Sequence, residues 1–131
     1  PTDLKLLSLI YERYYSNFKD YSKENKTRSS KIYVPIDIEE IAKNLNIDND
    51  IVFGRLYYHL NEKYSYKKDD GSRVDFFTMC AGDDRNCVNY PYLASVLADL
   101  RDQNRKYLTA TLITVTSVII AIISIIVAIF T

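Results

Sequence analysis

The chain has 131 residues, 17 basic and 17 acidic, so its formal net charge is zero. That balance excludes a global electrostatic pull toward nucleic acid or an acidic lipid surface. A single histidine and two cysteines leave no constellation for a zinc centre.

In chain order, Asp3 caps a first helix whose Leu4, Leu7, Tyr11, Tyr14 and Phe18 fall on one side and which runs to about residue 18. Lys19 to Ser30 loses the periodicity and reads as a basic loop, with Lys19, Lys23, Lys26 and Arg28 against Asp20 and Glu24. A short β run follows over Lys31 to Val34, stopped by Pro35. Asp37, with Glu40 three residues on, has the form of a capping box and opens a second helix carrying Ile38, Ile41, Ala42 and Leu45. After a turn at Asn46 to Asn49, a third helix is expected from about Asp50 to Lys63, with Phe53, Leu56, Tyr57 and Leu60 inward.

Lys63 to Lys68 and Arg73 to Met79 read as the strands of a hairpin around Asp69-Asp70-Gly71-Ser72. Cys80 to Cys87 reads as a loop, its cysteines as two ordinary thiols or, less simply, a disulfide. Pro91 suits the first turn of a fourth helix carrying Leu93, Val96, Leu97 and Leu100, and no breaker follows.

From Leu108 to Phe130 there is no charge, glycine or proline, and 14 of the 23 side chains are Leu, Ile, Val or Phe. A helix of that length spans about 35 Å, against a hydrocarbon core of about 30 Å. It reads as a single transmembrane helix, and the chain as a tail-anchored protein. The N-terminal residues lack the pattern of a signal peptide. Arg101, Arg105 and Lys106, just before the span, place the head in the cytoplasm by the positive-inside tendency. Ala110, Thr114, Ser117, Ala121, Ser124 and Ala128 form a heptad stripe of small residues, a pattern that lets helix backbones approach closely in lipid. The same register continues backward through Leu100, Val96 and Leu93, so one seam could pair two copies through head and membrane.

The order of elements, with Ile38-Glu-Glu-Ile-Ala-Lys-Asn-Leu-Asn-Ile47, then Val52 to Leu60, then the Tyr64 to Phe77 hairpin, resembles the winged helix-turn-helix family over about residues 3–80. The expected fold is mainly α with a small β wing. A winged-helix head over 1–90 leads into a membrane-proximal helix over 91–107 and a span over 108–130. The resemblance implies a third helix that enters the major groove, a wing on the backbone, and a dimer through the C-terminal helix. Arg55, Tyr58 and His59 would then face DNA, with Lys63, Lys67, Lys68 and Arg73 as a basic wing and Lys43 reaching phosphate. Against this, Asp48 to Lys63 holds Asp48, Asp50 and Glu62 but only Arg55 and Lys63, a poor balance for approaching phosphates. Two readings stay open. One is a membrane-tethered regulator binding DNA or a DNA-bound protein. The other is a protein-interaction adaptor or oligomerising membrane effector without DNA binding. No nucleophile elbow or phosphate-binding glycine loop points to an enzyme, and no metal or cofactor is expected.

Overall fold

A computed structural model describes residues 2–131. It divides into two units, Pro1–Leu97, hereafter the head, and Ala98–Thr131. Helix α1 spans Asp3–Lys19. Its cap is Thr2, whose Oγ1 accepts the Lys5 N–H at 3.2 Å. Asp3, expected as the cap, sits instead in the first turn, where its charge favours the helix dipole. Leu6, Leu7, Ile10 and Tyr14 are its buried positions, so the inward stripe is rotated from the expected one. The exit from α1 is organised by Arg28, read from sequence as one base in a solvated loop. Its guanidinium donates to the carbonyls of Asn17, Phe18 and Lys31 at 2.7, 3.2 and 2.7 Å. It also lies over the rings of Phe18 and Tyr21. Two of those carbonyls belong to the last turn of α1, whose acceptors have no partner within the helix.

Strand β1 is Tyr33–Pro35 and helix α2 is Ile38–Leu45. Asp37 caps α2 as expected, accepting from the Glu40 N–H at 3.2 Å. The box is not reciprocal. The Asp37 N–H donates to Tyr14 Oη at 2.7 Å, and the Glu40 carboxylate pairs with Arg13 of α1. Asn46, left-handed at φ 56°, ends α2. Asp48 then caps a helical run in three consecutive pieces. These are α3 over Asn49–Gly54, a π-helical stretch over Arg55–Leu60, and α4 over Asn61–Tyr64. Together they form the third helix. Val52, Leu56 and Leu60 are its buried side chains, while Phe53 and Tyr57 are half-buried.

The β region departs from expectation. The hairpin of β2, Tyr66–Lys67, and β3, Arg73–Val74, stands apart as a two-stranded ladder. The expected Arg73–Met79 strand breaks at Asp75-Phe76. There Asn61 Oδ1 accepts the N–H groups of Phe76 and Phe77 at 3.0 and 3.1 Å, and Asn89 Nδ2 donates to the Asp75 carbonyl at 3.2 Å. The chain resumes as β4, Phe77–Ala81, and returns as β5, Asp84–Asn89, in a sheet of order β1-β5-β4. Both cysteines are therefore on strands rather than at the ends of a loop. Both are free, Cys80 exposed and Cys87 buried. The run Asp83-Asp84-Arg85-Asn86 looks like loop because the strand end that it enters is polar. Pairing of Val88 with Val34 and Phe77 is non-local and leaves no mark in the local pattern.

Helix α5 runs over Tyr90–Phe130. Asn89 Oδ1 accepts the Tyr92 N–H at 3.2 Å, and the Tyr90 ring stacks on Tyr11 and Phe18. Leu93, Val96 and Leu97 are buried in the head. Leu93 and Val96 are thus taken up by the head's own core and not open to a partner helix, as the seam would require, while Leu100 is half-buried. Among the described residues, every buried side chain lies between Leu6 and Leu97. In the second unit every side chain from Arg101 to Thr131 is exposed.

Candidate functional site

The third helix and the β2–β3 hairpin carry the residues expected to meet DNA, and the structure places them unequally. Arg55 Nε lies 2.5 Å from Asp3 Oδ1, and His59 Nε2 lies 3.8 Å from Asp3 Oδ2. The Asp3 carboxylate of α1 therefore lies against Arg55 and His59, while Lys63 in the last turn of the third helix is exposed. Lys43 Nζ is 3.5 Å from Glu39, one turn back on α2. Arg73 Nε is 2.8 Å from Asp75 Oδ1, and its Nη2 is 3.3 Å from Ser65 Oγ. A guanidinium whose Nε already holds a carboxylate keeps its Nη donors but brings a partly offset charge to a phosphate or a guanine edge. Lys63, Lys67 and Lys68 are exposed, Lys63 with its ammonium 5.3 Å from the Tyr64 ring centre. The turn beside Lys67 and Lys68 holds Asp70, whose carboxyl is kept below its ordinary range by hydrogen bonds from the Ser72 hydroxyl and N–H. It stays ionised and offsets part of the hairpin's positive charge.

The outer side of the third helix also exposes two large apolar side chains. Ile51 is 61% and Tyr58 72% accessible. The π-helical stretch sets the Tyr57 and Tyr58 rings edge to face at 5.1 Å, with Phe53 against both. Such stretches insert an extra residue per turn and re-aim side chains. Asp3 was missed by sequence reasoning as a member of this face. Ile51 sits at a position that periodicity turned outward, so exposure was legible. The pairing of Asp3 with Arg55 joins residues 52 apart and has no local signal.

In the second unit, the stripe positions Ala110, Thr114, Ser117, Ala121, Ser124 and Ala128 are exposed along with the rest of the helix. The hydroxyls of Thr114, Ser117 and Ser124 donate to the carbonyls of Ala110, Ile113 and Ile120 at 3.0, 2.9 and 2.9 Å. That leaves these polar groups satisfied without water. Helix α5 is long and apolar enough to cross a membrane.

Among the described residues, no cluster of His, Cys, Asp and Glu is arranged to hold a metal ion. Burial pushes the Cys87 thiol up to about 11, with Asp84 and Cys80 adding to the effect. It raises the Tyr90 phenol as well, where Tyr11 and Tyr15 contribute. Both groups are protonated structural members of the core near neutral pH. No protein family, curated protein or solved structure matches this chain.

Proposed function

We propose that the protein is a membrane-anchored winged-helix adaptor whose head contacts another protein. The winged-helix reading is supported by the order helix, strand, helix, turn, helix, hairpin, and by the pairing of β1 with the second strand of the β4–β5 hairpin. On this reading the wing is β4–β5 and not the more basic Tyr64–Phe77 segment. The membrane reading is supported by an apolar helix with no buried residue in its most apolar window and with its hydroxyls satisfied internally. Large apolar surfaces of this kind are not left in water. Arg101, Arg105 and Lys106 support a head on the cytoplasmic side.

The observation that carries the choice of a protein partner is the third helix. Its Arg55 is held by Asp3, and it exposes two large apolar side chains, Ile51 and Tyr58. A second reading, a membrane-tethered regulator that binds DNA, is favoured by the exposed Lys63, Lys67 and Lys68. The full chain, solubilised in detergent, separates the two when titrated with labelled duplex DNA across a salt series. The adaptor reading expects no salt-dependent binding even at low ionic strength. Binding that weakens steeply with salt, and is lost when the three lysines become glutamate, would transfer the assignment to the regulator.

A further inference from the structure

We propose that the outer face of the third helix is the docking surface for a basic protein segment that presents one aliphatic anchor. The inference rests on the adaptor reading and supplies the chemistry of its partner. Between α1 and α3 lies a dimple of about 40 Å³ lined by Leu6, Ile47, Ile51, Val52 and Arg55. Leu6 and Val52 are themselves buried at 2% and 1%, so the floor is the head's own core and the opening is fixed in shape. Its size admits the tip of one aliphatic side chain. Tyr58, on the same helix, is a second exposed apolar side chain, its ring set against Phe53 and Tyr57.

Outside the Arg55–Asp3 pair, the third helix is net acidic, with three carboxylates against the exposed ammonium of Lys63. Asp48 and Asp50 stand at the N-terminal end of α3 and Glu62 stands in α4, all three exposed. The one guanidinium in the dimple wall is already neutralised by Asp3. An apolar dimple on a net-anionic helix disfavours a phosphate backbone and favours lysine and arginine, and such complementarity sets partner choice. Two-fold pairing of this face with a second copy would appose two net-negative surfaces, because an isologous interface uses the same patch on both copies. The occupant is therefore a different protein, with positive charge flanking its anchor.

The test uses the full chain in the membranes of its own cells, with a photo-cross-linking residue at Tyr58 and, as a control, at the exposed Ser95. The expected product joins position 58 to a segment of another protein with net positive charge. Its yield should fall at least about fivefold when Asp50→Lys and Glu62→Lys are combined, as reversal of rim charges requires. Any product from Ser95 should be unchanged by the same pair. The proposal is overturned if the yield survives charge reversal, or if position 58 joins an acidic segment, nucleic acid or a second copy. Protein cross-links from a probe at Tyr66 but none from Tyr58 would sink this surface and leave the adaptor reading standing. An absence of protein cross-links from all three positions would sink both.

Discussion

The two cysteines occupy neighbouring strands and have opposite chemistry. Cys80 is exposed with Arg85 Nη1 3.4 Å from its sulfur, while Cys87 is fully buried and its thiol is held up near 11. Thiolate is the reactive form, so at pH 8 an alkylating reagent should modify Cys80 in the folded protein and reach Cys87 only after denaturation. Equal labelling of both in the native state would contradict that placement. The raised value is also a statement about stability. An acid with an ordinary value of 9.0 and a folded value of about 11 favours the folded state fully below pH 9. That contribution disappears as pH climbs through the folded value, because the unfolded chain then releases a proton that the core retains. Tyr90 acts with the same sign. Thermal denaturation should therefore show a loss of stability beginning above pH 9, and Cys87→Ala should lose less across that window than the parent. Burial of Cys87 was not legible in sequence, since the Cys80 to Cys87 segment reads as a loop. The caps of α2 and α3 were legible in part, because an aspartate before an apolar run acts on its own helix.

At the scale of elements, the β4–β5 hairpin was the chief surprise, and its turn rests on Gly82. The residue has φ +62°, and an added Cβ would lie 2.7 Å from the Ser29 Cβ. Ser29 in turn donates its N–H to Asp84 Oδ2 at 2.8 Å, and its Oγ accepts the Asp83 N–H at 3.2 Å. The loop after α1 is thus tied to the hairpin tip on one side and, through Arg28, to the end of α1 on the other. Gly82→Ala should cost about 1–2 kcal/mol from the left-handed backbone alone, and more from the clash with Ser29. Chemical denaturation of the variant reads this. A shift below 0.5 kcal/mol would mean that the turn has another way to close. Gly54, in α3, should behave differently, since a Cβ there meets only Tyr58 Cδ2 at 3.7 Å, an ordinary contact. The helices were readable because their periodicity is local. The division of strands was not, because Asn61 and Asn89 impose the break at Asp75-Phe76 from residues distant in sequence.

At the scale of the whole molecule, the head buries a core of its own, whereas the helix from Arg101 onward is exposed. The head holds all the buried side chains among the described residues, from Leu6 to Leu97. Removal of residues 107–131 should consequently leave a soluble domain with the melting temperature of the head in the full chain, within a few degrees. Aggregation or loss of cooperative unfolding in that fragment would show that the apolar segment contributes to the fold. The full chain, by contrast, should resist extraction from membranes by alkaline carbonate and yield only to detergent. Sequence alone determined the two-phase character of the chain, the positions of its helices and the length of the apolar segment, because these follow from local composition and periodicity. Only the tertiary structure decided that Leu93 and Val96 belong to the head's core, that β5 joins β1 to β4, and that Arg55 is held by Asp3. Each of these depends on which distant residues meet, and a chain's local pattern carries no record of that.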